Sequence, residues 1–404
     1  MSIEIRPIAA DRIAELMTPI GTAFGIAFTP LYLDRARSLT ELDVRIGAYD
    51  GDTIVGAAGS FTFDMTVPGP VPVETAGLTL VAVVPTHRRQ GVLRSLMREH
   101  LDGARARGQV MAGLWASEGP IYGRFGYGMA AVAGDVELPR DRTAFIGPAA
   151  PPWRARFLSE EEAMVVCPPI WDAARRTTVG MVTRSPGWWR ARRLANPEGL
   201  RAGRGPLQRV LLEIDGRPAA YALYRFAYPV PHREPLPPID VHEAMATSPG
   251  ATRAIWRYLL DIDLAPSFRA LQLSPDHPLL HMLADPRRLG MRLRDSVWVR
   301  LVDVAAALSK RGYSSDGRLV IEVEDTFCPW NTGCYRIAGG VAERTGEAPD
   351  LAMGVSELSA AYMGGVSFSA LAAAGRVIER REGALEEGDR MFRTARLPWC
   401  PETF

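Results

Sequence analysis

The sequence predicts an α/β (α+β) protein whose first two thirds repeat one supersecondary order and whose last hundred residues follow another. Three observations predict it. Two apolar runs, Gly77–Val84 and Val110–Ser117, read as strands buried on both faces, and between them Val92, Leu93, Leu96, Met97, His100, Leu101 and Ala104 mark one face of a helix from Gly91 to Arg107. The order strand, turn, helix, strand, short helix, strand then returns between Val210 and Leu301. Pro139–Pro152, rich in Pro and small residues, reads as the linker between the two passages.

Each element has a local reason. Ser2–Arg6 reads as a short strand, and Asp11–Phe24 as a helix with Ile13, Leu16, Met17 and Ile20 on one side, interrupted or kinked at Pro19. Val44–Tyr49 and Thr53–Phe63 are strands of a hairpin around Asp50-Gly51-Asp52, after which Pro68-Gly69-Pro70 breaks the chain. Ile121–Phe125 is a short turn, and Met129–Glu137 the last strand of the first passage. In the second passage, Val210–Ile214 and Pro218–Arg225 form a hairpin, followed by a strand at Ile239–Ala246, a helix at Thr252–Leu260, a strand at Ala270–Leu273 and a closing strand at Ser296–Leu301. The last third reads as strands at Gly317–Glu324, Tyr335–Arg344 and Leu351–Gly354. Its helices are Ser356–Met363, with Ser356 as cap, Phe368–Ala374 and Gly383–Phe392, whose acidic start suits a helix N-terminus.

Composition narrows the function classes. The 404 residues, 47% hydrophobic and 23% charged, suit two or three packed domains rather than a disordered chain. Lys+Arg 47 against Asp+Glu 46 gives a formal charge of +1, so no net pull toward nucleic acid or an anionic membrane is indicated. No apolar run is long enough for a membrane span, and the N-terminus has no secretory pattern. Cys167, Cys328, Cys334 and Cys400 form no close pair, which fits a reduced, cytoplasmic compartment. His277 and His281 stand four apart but enclose Pro278 and no Glu follows His277, so no metalloprotease helix and no metal site is expected. Lys310 is the only lysine.

The chemically informative stretch runs from Val81-Ala82-Val83-Val84-Pro85 into Thr86-His87-Arg88-Arg89-Gln90-Gly91-Val92-Leu93-Arg94. A buried strand enters a basic turn that opens a helix, so free amides of the first helical turn and the guanidiniums of Arg88, Arg89 and Arg94 suit a diphosphate. Gly91 lacks the Cβ that would block its approach. The other reading is a solvated basic cap on an ordinary helix. Neither a Gly-x-x-x-x-Gly-Lys-[Ser/Thr] nor a Gly-x-Gly-x-x-Gly motif is present, which disfavours triphosphatase and dinucleotide folds.

Arg88-x-x-Gly91 after Val81-Ala82-Val83 resembles the acetyl-CoA signature of the GNAT acetyltransferases, although Leu93 stands where Gly or Ala is usual. With Trp115-Ala116-Ser117-Glu118-Gly119-Pro120-Ile121-Tyr122-Gly123-Arg124-Phe125-Gly126-Tyr127-Gly128, the chain is similar to the Enhanced intracellular survival (Eis) family of bacterial N-acetyltransferases. The resemblance implies two tandem GNAT-like domains, 1–143 and a degenerate 144–302, and a sterol-carrier-protein-like α+β domain, 303–404. It implies acetyl-CoA as co-substrate and no metal. Val81, Ala82 and Val83 would bond the pantetheine arm; Arg89, Gln90, Gly91, Val92, Leu93 and Arg94 would hold the diphosphate with Arg88 adjacent; Ser117 and Glu118 would line the far side of the cleft. Tyr122 matches the family's proton donor, and the C-terminal carboxylate of Phe404 its proton acceptor. Tyr127 is a rival donor, and Glu118 is either a base or a helix N-terminal carboxylate. The implied acceptor is a small cationic amine (an aminoglycoside, a polyamine or a lysine-like group), with Glu402, Phe24, Phe28 and Tyr32 as candidate walls, Phe24 and Phe28 on one helical face. The implied assembly is a homo-hexamer. A protein-lysine acetyltransferase and a non-catalytic acyl-CoA or lipid-binding module are the alternatives.

Overall fold

Turn chemistry sets the first sheet. Gly51, at φ +59, lets β2 (Leu42–Asp50) fold back on β3 (Thr53–Val67), and β1 (Ile3–Pro7) adds antiparallel to β2. Pro68-Gly69-Pro70, expected as a break, is instead a hairpin tip with Gly69 at φ +93, so β4 spans Val71–Val83 and starts well before Gly77. A computed structural model describes residues 3–39, 42–201, 203–227, 238–263 and 265–404; Ser2, the first residue of the expected opening strand, lies outside them. Helix α1 (Ile13–Phe24) runs through Pro19 rather than stopping there, because burial of Ile13, Leu16, Met17 and Ile20 holds the helix where one backbone bond is lost. Helix α2 (Pro30–Arg37) was not expected; Thr29 caps it and Pro30 opens it. Helix α3 (Val92–Ala106) joins β4 to the parallel strand β5 (Met111–Trp115), burying Val92, Leu96, Met97, His100, Leu101 and Ala104. Beyond β5, two single 3-10 turns, Gly119–Ile121 and Gly123–Phe125, lead to the short β6 (Gly128–Met129).

The closing strands are exchanged. β7 (Val132–Pro139), expected to complete the first repeat, pairs with the second sheet, whose members are β8 (Arg154–Phe157), β9 (Gln208–Ile214), β10 (Arg217–Phe226), β11 (Ile239–Ala246), β12 (Ser267–Leu273) and β13 (Arg292–Asp295). β14 (Val297–Leu301), expected to complete the second repeat, lies in the first sheet, antiparallel to β5 and β6. The sheet orders are β1-β2-β3-β4-β5-β14-β6 and β13-β7-β12-β11-β10-β9-β8. A sheet edge demands only some strand of suitable alternation to satisfy its backbone groups, so local sequence cannot say which copy supplies it. Val132–Thr178 and Arg184–Arg294 accordingly form one compact unit, and the first sheet, Val179–Thr183 and everything from Asp295 to Phe404 form the other. The second unit also contains α4 (Glu160–Arg175), unforeseen because it contains Pro168 and Pro169; a reciprocal Ser159–Glu162 capping box starts it.

The last sheet has the order β17-β16-β15-β18-β19, from β15 (Arg318–Glu324), β16 (Gly333–Ala338), β17 (Val341–Thr345), β18 (Leu351–Gly354) and β19 (Val377–Glu379). The single strand expected at Tyr335–Arg344 is two, because Gly339 and Gly340 at φ +56 and +77 close a tight hairpin. Ser356 is not a cap; Gly354 stands at the N-cap of Val355–Ala361, while Ser367 caps Phe368–Ala373. The helix Ala384–Phe392 ends the regular structure, with Glu386 and Glu387 in its first turn as expected.

Candidate active site

The site begins where β4 leaves β5. The two strands pair in register only from Thr75↔Met111 to Leu78↔Leu114, although β4 continues to Val83. At the divergence Leu80 adopts φ +54, and the β3–β4 register shifts so that Leu80 and Val81 together oppose Ala58. This is a β-bulge, which re-aims a strand edge beside a site. Ala82 and Val83 stay paired to Ala57 and Gly56 of β3, so Val81, Ala82 and Val83 turn their other edge toward the opening with no strand partner among the described residues. An extended ligand can bond such an edge as an added strand would.

At the far end of that edge lies the basic turn. Pro85–His87 form a 3-10 turn, Arg89 holds φ +64 and Gly91, at φ +84, is the N-cap of α3 with no side chain bonded to the first-turn amides. A Cβ on Gly91 would meet nothing within 4 Å, so the space before the helix is open. Ser95 N–H makes the first intrahelical bond, to Gly91 O at 3.0 Å, which leaves the amides of Val92, Leu93 and Arg94 for an anion. Arg88, Arg89 and Gln90 are exposed. Gln90 Nε2 donates to Thr86 O at 3.2 Å, and Thr86 Oγ1 lies 2.9 Å from His87 Nδ1, so the turn is braced from inside. The donor set fits a diphosphate: open amides at a helix start, with guanidiniums beside them.

Tyr122 follows the first of the two 3-10 turns. It is 5% exposed, and burial alone pushes its phenol up to about 12, so the hydroxyl holds its proton at neutral pH. Its ring stands edge-on to Tyr127 at 6.0 Å between centroids. Tyr127 is fully buried, its hydroxyl has no hydrogen-bond partner among the described residues, and burial above all raises its pKa. Tyr122 and Tyr127 both belong to the core cluster that holds Val92, Leu96, Phe125 and Phe327, and Tyr122 alone of the two keeps a small exposed fraction. Ser117 and Glu118 are exposed at the end of β5; Glu118 is the N-cap of Gly119–Ile121 but its side chain caps nothing.

The C-terminal residues pack on β4 and β5 just before the two strands diverge. The Phe404 ring is 6% exposed and edge-on to Phe63, centroids 4.7 Å apart. It lies over Gly77 and Gly113, register partners on β4 and β5: a Cβ on either would approach Phe404 to 3.3 or 3.6 Å. Trp115 Nε1 donates to Glu402 O at 2.8 Å, and Trp399 N–H donates to Val179 O at 2.7 Å. Glu402 is 1% exposed, within this seat rather than on an open wall. Of the aromatic wall candidates, Phe24 and Tyr32 are exposed, whereas Phe28 stacks on Tyr32 at 4.9 Å. Phe24 and Phe28 do not share a helical face, because Gly25 in the left-handed conformation ends α1 between them. A cleft of about 420 Å³ lies between α1 and α2, lined by Met17, Thr18, Gly21, Ile26, Phe28 and Leu33 among others.

Sequence reasoning passed over Gly77, Gly113 and Trp115, which seat the tail. A lone glycine inside a strand pattern is the signal that could have found the first two, since it marks a close approach. It also passed over Arg300 and Asp325, a buried pair at 2.6 Å beneath the Tyr122 segment. Among the described residues no group of three or more His, Cys, Asp or Glu could hold a metal ion, and no helix is long and apolar enough to cross a membrane.

Comparison with known proteins bears on this geometry. Residues 4–130 and 180–301 each match a model of an acetyltransferase (GNAT) domain, and residues 304–401 match a sterol carrier protein domain. An uncharacterized N-acetyltransferase of Streptomyces avermitilis is 43% identical over 91% of both chains. The N-acetyltransferase Eis of Mycobacterium tuberculosis is 33% identical over 86% of this chain and 85% of its own. The crystal structure of Eis1 from Mycobacterium abscessus superposes with a TM-score of 0.86 at 30% identity, covering 99% of this chain and all of that one. With two GNAT domains followed by a sterol-carrier-like domain, the chain belongs to the Eis family of GNAT-type N-acetyltransferases.

Proposed function

We propose that the protein transfers the acetyl group of acetyl-CoA to a primary amine of a small cationic acceptor, an aminoglycoside, a polyamine or a lysine-like group. The observation that carries this reading is the opening between β4 and β5, which has an open basic helix start at one end and the seated Phe404 at the other. Acetyl-CoA would bring an activated thioester, and the remaining work falls to the chain's own groups. The unpaired edge of Val81, Ala82 and Val83 would align the pantetheine arm, with the Val83 N–H polarising the thioester carbonyl. The amides and guanidiniums from Arg88 to Arg94 would anchor the diphosphate, and Ser117 and Glu118 would flank the cleft. Tyr122, kept protonated by burial, would donate its proton to the leaving sulfur.

The α-carboxylate of Phe404 is of a kind with a reference pKa of about 3.5, and would accept the proton lost by the amine. Its weak basicity is the reason its position matters: a seated carboxylate acts through proximity and through pairing with the ammonium. Exposed Phe24 and Tyr32 beside the α1–α2 cleft are available to a cationic acceptor. The same reading treats the chain as modules 1–143, 144–302 and 303–404, assembled as a cytoplasmic homo-hexamer; light scattering tests the assembly.

The test is thiol release from acetyl-CoA against a kanamycin-type aminoglycoside, spermidine and a lysine peptide. Turnover with the small amines supports the reading. A peptide preferred over both transfers the assignment to a protein-lysine acetyltransferase. One added residue after Phe404 is expected to abolish turnover, and an unchanged kcat there refutes the acceptor role.

A further inference from the structure

The loop that follows β15 belongs to the C-terminal domain, yet it packs against the basic helix of the first sheet. Its base is fixed by charge. Arg300 of β14 is fully buried and donates to Asp325 Oδ2 at 2.6 Å, to Phe125 O at 2.8 Å and to Leu301 O at 2.8 Å. Asp325 also accepts from the Cys328 N–H at 2.8 Å and from Asn331 Nδ2 at 3.0 Å. Gly126 is required beside this pair, because a Cβ there would stand 2.6 Å from Arg300 Nε. Held on that base, Phe327 is 2% exposed and edge-on to Phe125, centroids 5.0 Å apart. Two guanidiniums from α3 lie over its ring, Arg98 at 4.0 Å and Arg94 at 5.1 Å, and Arg98 Nη2 bonds the Phe327 carbonyl. Arg105, farther along the helix, lies 4.6 Å from the Trp330 ring.

Arg98 has a carboxylate neighbour, Asp102, at 3.6 Å. Arg94 is exposed in the first turn of the helix, and among the described residues its one charge-related contact is the Phe327 face. A flexible arginine beside a diphosphate site loses rotamer freedom when it binds, and a ring that already holds it reduces that loss. We infer that Phe327 is a positioning residue of the coenzyme site, supplied by the C-terminal domain, whose ring holds the Arg94 guanidinium ready for the phosphates. This rests on the reading of Arg88–Arg94 as the diphosphate site. It assigns the C-terminal domain a part in binding the coenzyme as well as carrying the tail.

The experiment is titration calorimetry of the full-length protein with CoA, which binds without turnover, on Phe327→Leu, Arg94→Gln and the double variant. Phe327→Leu is expected to weaken CoA binding about three- to tenfold, and the double variant to bind no more weakly than Arg94→Gln alone. In turnover the loss falls on KM for acetyl-CoA rather than on kcat. Because Leu leaves space in a packed site, a ring-trifluorinated phenylalanine at 327 is the second variant. It keeps the shape and removes the negative ring face, and should weaken binding to a similar extent. Wild-type affinity in the fluorinated protein, or additive losses in the double variant, overturns the inference. Wild-type affinity in Arg94→Gln overturns instead the reading of the basic turn on which it stands.

Discussion

Gly77→Ala should damage the protein while Gly113→Ala, at the register partner across β4 and β5, should not. A Cβ on Gly77 would stand 2.4 Å from Phe63 Cε1, 2.7 Å from Phe63 Cζ and 3.3 Å from Phe404 Cδ2. Ordinary contact begins near 3.4 Å, so the Phe63 ring must retreat by about 1 Å. Phe63 is 5% exposed and already rests against Phe404, so its retreat presses on the tail. Overpacking of this kind costs about 1–3 kcal/mol, against about 0.4–1 kcal/mol returned by replacing a strand glycine with alanine. At Gly113 the nearest atoms are Met65 Cε and Phe404 Cζ, both at 3.6 Å, so alanine fits and only the gain remains. The melting temperature should fall by several degrees in Gly77→Ala and rise by a degree or more in Gly113→Ala, at about 2–4 °C per kcal/mol for a unit of this size. If the Phe404 carboxylate takes part in turnover, a displacement near 1 Å should also lower kcat of Gly77→Ala by about 10- to 100-fold. Calorimetric melts and thiol release at saturating substrates read both. Wild-type melting and kcat in Gly77→Ala, or equal damage in Gly113→Ala, would refute the reasoning.

Further outcomes are expected at three sites. Tyr122→Phe should lower kcat by about 10²–10⁴-fold with little change in KM for acetyl-CoA. Burial pushes the Tyr122 phenol from 10.0 up to about 12, so its contribution to stability is complete below pH 10 and lost as pH rises toward 12; alkaline melts of Tyr122→Phe should lack that loss. His100 is driven the other way, down to about 3, by burial and then by Arg107, and its Nε2 has no hydrogen-bond partner among the described residues. Its stabilisation is present above 6.5 and lost as pH falls toward 3, at up to about 1.4 kcal/mol per pH unit, and His100→Leu should flatten the acid limb of urea-melt stability. Asp325→Ala should destabilise the first unit by about 3–5 kcal/mol, because Arg300 would keep a buried charge without its partner, and Arg300→Met added to it should restore part of the loss. Urea midpoints of the single and double variants measure both effects.

Local chemistry made much of the site legible in the chain. Gly91 before a run with helical spacing places an open helix start after a buried strand, and that inference needs no distant contact. Tyr122 was legible through the resemblance alone, since a tyrosine in a short turn carries no sign of the burial that raises its pKa. Phe404 likewise entered through the resemblance, and Gly77 and Gly113 acquire meaning only when β4 and β5 lie side by side.

What the sequence determined by itself is whatever depends on neighbours along the chain: the strand, basic turn and helix order, the hairpins at Gly51 and Gly216, and the duplicated pattern. Tertiary structure decided which strand closes each sheet, where the chain's last residues lie, that Phe327 meets Arg94 from more than two hundred residues away, and that Asp325 is the partner Arg300 takes inside the core. The physical reason is that a strand edge, a buried arginine or an aromatic ring specifies the kind of partner it needs, through hydrogen bonding, charge and shape, and leaves the identity of that partner to the packing of the whole.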